Sequence, residues 1–264
     1  MIRAVQTEAD AREFAARIHG QFYFRSAMGM RLALFGQKPG SGWRFCLTDS
    51  GALMLRGASA QLCGACRDDA EGEEVAAFLH FSGVETLLCR EEDRMLPGWG
   101  EPRQRVGFCL PKGKSLTGKP ALEDADTFPG APPAGMQMEV SPSMWEISRL
   151  LFADQEEQER FYSDSCTAAA HGMGCTWALR APDGALVTTV SCCADFDGEA
   201  YVAAGMTAPD WRGRGLGAWL IAAMLSNKAR TADAVLLCEP ALCGFYERMG
   251  LHRGPTFALY RPVP

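Results

Sequence analysis

The stretch Gly205-Met206-Thr207-Ala208-Pro209-Asp210-Trp211-Arg212-Gly213-Arg214-Gly215-Leu216-Gly217-Ala218-Trp219-Leu220 decides how the chain is read. A β-rich run, Ala200 to Met206, leads into it, and a run with helical periodicity, Leu216 to Arg230, leads out of it. Three glycines and two arginines fall where strand passes into helix. Glycines lack a Cβ, so the backbone can turn tightly and let an anion approach its N–H groups, while the helix's first turn offers unsatisfied donors and a positive partial charge. That composition describes a pyrophosphate cradle. The competing reading is a glycine-rich turn without ligand, which is the commoner meaning of a bare Gly-x-Gly. A Walker loop needs Gly-Lys-Ser/Thr, which is absent, and a Rossmann loop opens its fold after the first strand, whereas this loop comes late.

Around the loop, helices and strands alternate. Met136 to Val140 reads as a strand, and Ser143 with Glu146 three residues on is a capping-box start for a helix through Phe152. A helix over Gln155 to Ala170 follows. Thr176 to Arg180 and Ala185 to Cys193 are β-rich runs joined by Ala181-Pro182-Asp183-Gly184, a hairpin turn. Beyond the loop come a short strand, Ala234 to Cys238, a helix, Ala241 to Met249, and a last strand, Pro255 to Tyr260. Upstream, the pattern predicts a helix over Glu8 to Ile18 and strands at Arg44 to Leu47 and Ala52 to Ala58. A helix over Glu73 to Phe81 and strands at Val84 to Cys89 and Arg105 to Leu110 complete that half. Residues 111 to 135 hold five prolines and four glycines with no sustained apolar period, the composition of a linker. The expected division is therefore 1–110 as an accessory α/β domain, 111–135 as linker and 136–264 as the domain carrying the loop. Gly51-Ala52-Leu53 recurs as Gly184-Ala185-Leu186 after an equivalent hairpin turn, which together with the element order suggests a duplication, although three residues alone are compatible with chance.

The 264 residues are 47% apolar and carry 26 Lys and Arg against 32 Asp and Glu, a formal charge of −6, so the chain is a globular protein with a sizeable core and no overall basic field to gather nucleic acid or anionic lipid. The first residues turn polar too soon for a signal peptide, and no apolar run approaches the ~20 residues that span a bilayer. A cytoplasmic protein without membrane or nucleic-acid partners is expected. Eleven cysteines, an odd number, then imply reduced thiols that mostly fill core. Cys63-Gly64-Ala65-Cys66 is a CxxC, but neither a second CxxC nor a His pair accompanies it, so no metal site is expected. Cys192 and Cys193 adjoin on a strand, where neighbours point to opposite faces, and should not act together.

The loop resembles the acetyl-CoA loop of the GCN5-related N-acetyltransferase (GNAT) superfamily, Arg/Gln-x-x-Gly-x-Gly/Ala. Arg212, Gly215 and Gly217 fill that pattern, and Pro209 takes the place of a frequent upstream Pro. Phe245-Tyr246-Glu247-Arg248-Met249-Gly250-Leu251 resembles the family's C-terminal segment, with a Tyr near the end of a helix and a Gly that ends it. The resemblance spans about residues 136 to 264. It implies an α/β GNAT fold, a mixed central sheet flanked by helices, in tandem with a degenerate GNAT-like N-terminal domain.

Carried over residue by residue, the resemblance implies that Gly213, Arg214, Gly215, Leu216, Gly217 and Ala218, with Arg212, bind the pyrophosphate of acetyl-CoA. It implies that Gly205, Met206 and Thr207 pair with the pantetheine arm and hold the thioester. Tyr246 matches the usual general acid for the leaving thiolate; the other reading is a buried tyrosine with a satisfied hydroxyl. Seven residues before it the family often has Asn, and this chain has Glu239, turned either toward the acceptor or against cofactor binding. Where some members carry a catalytic Glu, this chain has Ala234, so the amine's proton needs another carboxylate or a water chain. Asp195, Asp197 and Glu199 are read as solubility residues of loops.

The implied reaction is direct attack of an amine, on a small molecule or a peptide, on the thioester of acetyl-CoA. A strand N–H near Met206 is expected to stabilise the developing oxyanion, a donor worth about 3 to 4 kcal/mol elsewhere. The rival is a non-catalytic acyl-CoA-binding or scaffolding module, suggested by Glu239 and Ala234. The N-terminal half lacks the loop and is expected to serve as a structural partner or a wall of the acceptor pocket. Its Phe22-Tyr23-Phe24 cluster faces either core or an aromatic acceptor.

Overall fold

The computed structural model describes residues 1–36, 38, 40–93, 96–117 and 131–261. The predicted linker thus lies partly outside the described residues. The chain divides into two compact units, one of Met1–Gly107, Leu237–Cys243 and the chain from Arg253 onward, the other of Phe108–Leu236 and Gly244–His252.

In the first unit the order is β1 (Arg3–Ala4), α1 (Glu8–Ile18), α2 (Phe24–Phe35), β2 (Trp43–Leu47), β3 (Ala52–Arg56), β4 (Ser59–Cys63), α3 (Asp69–Phe81) and β5 (Thr86–Arg90), followed by β6 (Arg103–Leu110). Helix α1 starts where predicted because Thr7 and Asp10 form a reciprocal cap, the Asp10 N–H donating to Thr7 Oγ1 at 3.1 Å and the Thr7 N–H to Asp10 Oδ2 at 2.9 Å. Helix α2 was not legible. It is apolar nearly all round, with eight buried residues, and its N-cap, Tyr23 at φ 70°, makes no side-chain cap, so neither periodicity nor a start signal marks it. The predicted strand over Ala52 to Ala58 ends at Arg56, because Gly57 at φ 54° turns the chain back into β4, a strand that the sequence reading does not predict. The Phe22-Tyr23-Phe24 cluster is core: its rings lie 6.2, 5.7 and 5.6 Å from Phe257, near the chain's end.

The second unit runs β7 (Gln137–Glu139), α4 (Met144–Leu151), α5 (Gln155–Ala170), β8 (Cys175–Arg180), β9 (Leu186–Phe196), β10 (Glu199–Thr207), α6 (Leu216–Lys228), β11 (Asp233–Cys238) and α7 (Cys243–Arg248), with β12 (His252–Tyr260) crossing back to the first. Its strands lie in the order β11-β10-β9-β8-β7, antiparallel except for the parallel pair β10–β11. Ser143 caps α4 as predicted, but the Glu146 carboxylate goes to Arg180, whose Nη2 is 2.7 Å from it while Nε is 2.6 Å from Glu139. That fork joins α4 to the β7–β8 edge, and the guanidinium holds the Glu146 carboxyl below its ordinary range.

The two units repeat one pattern. In each, three antiparallel strands (β2-β3-β4; β8-β9-β10) are followed by a helix (α3; α6) and a strand parallel to the third (β5; β11). Both parallel pairings extend over three residues, Ser59–Gln61 with Thr86–Leu88 and Glu199–Tyr201 with Asp233–Val235. Gly51-Ala52-Leu53 and Gly184-Ala185-Leu186 sit at the same turn of the two patterns. The architecture is mixed α/β, with mixed sheet flanked by helices.

Past α7, Gly250 adopts φ 88°, and a Cβ there would lie 2.8 Å from the Thr117 main-chain nitrogen. With its N–H bonded to Glu247 O and the Leu251 N–H to Tyr246 O, Gly250 closes the helix that carries Tyr246. Gly250→Ala is expected to destabilise the protein by about 2 kcal/mol or more in urea unfolding, since strain and clash add.

Candidate acyl-CoA site

Strand β10 pairs with β11 only through Tyr201, so Val202 to Thr207 run on without that partner. On its other side β10 is bulged: Ala203 faces Ser191 and Met206 faces Thr189, three steps against two. Ala204, at φ 53°, absorbs the extra residue next to Gly205. The end of the strand is fixed by Thr188, whose hydroxyl donates to Met206 O at 2.9 Å and lies 3.0 Å from Thr207 Oγ1. Sequence reading singled out neither residue. An alanine at positive φ leaves no signal in sequence, and a threonine in a strand is ordinary.

The chain then makes a short 3-10 turn, Pro209–Trp211, and Arg212 Nε donates back to Thr207 O at 3.1 Å. Gly213 and Gly215 take φ 75° and 74°, with nothing among the described residues within 4 Å of a Cβ, so both are glycine for conformation and not for lack of room. Gly217 is the opposite case. A Cβ there would lie 2.7 Å from Thr207 Oγ1, so α6 packs against the end of β10 only because this side chain is missing. Arg214 stacks on Trp211 at 4.7 Å and donates to Asp210 O at 3.1 Å. Residues 212 to 215 are exposed, as is Gly205.

Helix α6 begins at Gly215 without a side-chain cap and has no acidic residue in its first turn. Its first N–H groups have no intrahelical acceptor, and the helix dipole gives them a positive partial charge. Deep apolar packing keeps that end in place: Trp219, Leu220, Ala223 and Met224 are buried. The equivalent helix of the first unit, α3, is closed. Asp68 accepts from the Glu71 N–H at 2.9 Å, and the buried Glu71 carboxylate accepts from the Arg67 N–H at 2.7 Å and from the Ser50 N–H and hydroxyl at 2.9 Å. Burial pushes the Glu71 carboxyl up, but these donors outweigh it and hold it at about 2. A side chain of the protein thus occupies donors near the start of α3, whereas the start of α6 is left open.

Tyr246, on α7, belongs to the same unit as the loop and is 8% exposed, its ring 5.7 Å from Phe108 and 4.9 Å from Phe245. Glu239 belongs to the first unit, where its exposed carboxylate pairs with Arg105 at 3.2 Å. Ala234 is fully buried in β11. Of the three acids read as loop residues, Asp197 does sit in the β9–β10 turn at φ 50°, but Glu199 is 1% exposed and Asp195 pairs with Lys228 at 2.8 Å. Cys63 and Cys66 are buried, and burial pushes the Cys63 thiol up to about 12. Among the described residues no group of three His, Cys, Asp or Glu is arranged to hold a metal, and no helix is long and apolar enough to cross a membrane.

A family model for an acetyltransferase (GNAT) domain matches residues 173–251, from the start of β8 to the end of α7. Among solved structures the chain is similar to a GCN5-related N-acetyltransferase from Kribbella flavida, with a TM-score of 0.60 and 18% identity over 95% of this chain and 96% of that one. A GCN5-related N-acetyltransferase from Sphaerobacter thermophilus has a TM-score of 0.61 at 15% identity, covering 100% and 96%. A tandem GNAT protein from the clavulanic acid biosynthesis pathway has a TM-score of 0.61 at 13% identity, covering 100% and 99%. No curated protein sequence matches significantly. At such identities the structures show a shared fold, which here extends over the whole chain. Residues 173–251 thus match the model of an acetyltransferase (GNAT) domain, and the whole chain shares the fold of GCN5-related N-acetyltransferases.

Proposed function

We propose that the protein is an acetyl-CoA-dependent N-acetyltransferase whose pyrophosphate cradle is formed by the main-chain N–H groups between Arg212 and Ala218. The uncapped, exposed N-terminus of α6, placed beside the end of β10 by Gly217, carries this reading. Its donors and dipole suit a diphosphate. The stretch from Gly205 to Thr207, unpaired toward β11, suits the extended pantetheine arm, as an added strand would pair there. The bulge at Ala204 releases main-chain groups from the β9 ladder just where the thioester carbonyl would come, so they suit an oxyanion. The amine, mostly protonated at neutral pH, must shed a proton before it attacks; Tyr246 would protonate the leaving thiolate. The acceptor is an amine on a small molecule or peptide. The first unit is the degenerate copy, its anion site satisfied by Glu71, and acts as scaffold.

One observation favours the second reading, a module that binds acyl-CoA without turnover: Tyr246 is buried between two phenylalanines. The two readings part on one measurement. Acetyl-CoA is incubated with a pool of amines, and acetylated products are detected by mass spectrometry, since eleven protein thiols would confuse a thiol reagent. An enzyme yields product, and Tyr246→Phe lowers kcat by about a hundredfold while CoA affinity stays within about twofold of wild type. Tight binding with no acetylated amine from a broad pool establishes the binding module instead.

A further inference from the structure

Cys175 opens β8 and Cys192 lies directly across from it on β9. Directly opposed residues of an antiparallel pair project to one face with Cα atoms about 4.5 to 5.5 Å apart, within the span a disulfide bridges. The next pair along confirms the shared orientation of opposed side chains, the Thr176 and Ser191 hydroxyls meeting at 2.8 Å. Cys193 points the other way and takes no part. Both thiols are free, Cys192 buried and Cys175 half-buried. The groups around Cys175 are Cys192 and Asp195 from β9 and, from α6, Met224, with Sδ 4.0 Å from its Sγ, and Lys228. His171, at the end of α5, is exposed and its Nδ1 is bonded to Thr167 O. The Cys192 S–H donates to Ala194 O at 3.6 Å, and the adjoining Cys192 thiol and the Lys228 ammonium, held by Asp195 at 2.8 Å, both favour the Cys175 thiolate. Together they outweigh burial and bring the Cys175 thiol down to about 6, while its partner is pushed up by the Cys175 sulfur beside it and by burial.

We propose that Cys175 and Cys192 form a peroxide-reactive dithiol, with Cys175 as the attacking thiolate and Cys192 as the resolving thiol. Cys175 attacks one peroxide oxygen: an S–O bond forms, the O–O bond breaks, and the departing hydroxide takes a proton to become water. Cys192 then attacks the sulfenic sulfur: the S–S bond forms, the S–O bond breaks, and hydroxide leaves as a second water with the Cys192 proton. Two thiols and one hydrogen peroxide give one disulfide and two waters, the sulfurs losing two electrons. The asymmetry of the pair fits these roles. The thiolate is at the half-exposed position and the protonated partner is buried behind it.

The test uses the full chain and one equivalent of hydrogen peroxide at pH 6. Peptide mapping is expected to show a Cys175–Cys192 disulfide as the first linkage among the eleven cysteines. Cys192→Ser is expected to stop at a Cys175 sulfenic acid that dimedone traps. A separate readout needs no variant: alkylation of Cys175 by iodoacetamide should proceed at pH 6 about tenfold faster than an unperturbed thiol and level off by pH 7, because the gain in thiolate exceeds the loss in nucleophilicity. First oxidation at any other cysteine pair, or a Cys175 alkylation rate still climbing tenfold per unit through pH 8, overturns the proposal. Neither outcome depends on acyl-CoA binding.

Discussion

Gly215→Asp is expected to weaken acyl-CoA binding by about 2 kcal/mol, roughly thirtyfold in Kd, and to cost about 1 kcal/mol of stability through its positive φ. Gly215 sits at φ 74° with no atom of the described residues within 4 Å of a Cβ, and Asp tolerates that region better than most residues, so the helix should still form. What changes is charge. A carboxylate at the head of α6 competes for the first-turn donors and repels a diphosphate, much as acidic residues fill the start of α3. Calorimetric titration with CoA at low and moderate salt reads the effect, and Gly215→Asn is the control that adds bulk without charge. Should Asp and Asn weaken binding equally, the loss is steric and the electrostatic account of the cradle fails. Should neither weaken it, the diphosphate sits elsewhere.

The largest stability effect is expected at Glu71. Its carboxylate, held at about 2 against an ordinary 4.5, contributes about 3 kcal/mol at neutral pH through preferential binding of protons to the unfolded chain. The sign follows from the depressed value: the contribution is complete above about pH 5, shrinks as pH falls through the unfolded carboxyl's range, and is gone near pH 2. Glu71→Gln should cost about 3 kcal/mol at pH 7, because the amide turns an N–H₂ toward donors from Arg67 or Ser50. Below pH 3 wild type and variant should converge. Urea melts from pH 7 to pH 3 test this, and a gap that stays constant over that range refutes the carboxylate's role.

The second unit was far more legible than the first. Arg212, Gly215 and Gly217 announced the loop because tight turns and close approach demand glycine, and the Ala181-Pro182-Asp183-Gly184 turn announced the β8–β9 hairpin. In the first unit α2 hid because a helix buried on most sides has no polar face to give its period away. The apolar period starts α3 at Glu73, four residues past its true first residue, although Asp68 followed three residues on by Glu71 is itself an N-terminal signature. No local pattern reveals that Cys175 and Cys192, or Thr188 and Met206, are neighbours, since strand register decides both. The bulge at Ala204 is likewise set by register, and Tyr246 was found only through a resemblance.

The last strand has a consequence for biosynthesis. Phe257 to Tyr260 pair with β5, and Phe257 receives the aromatic cluster from residues 22 to 24. The amino-terminal unit therefore cannot finish its sheet or its core until the ribosome has passed residue 260. Ordinary vectorial folding, one module sealed before the next emerges, is closed to this chain. Assembly of the amino-terminal unit is thus coupled to synthesis of a strand encoded after the whole second unit.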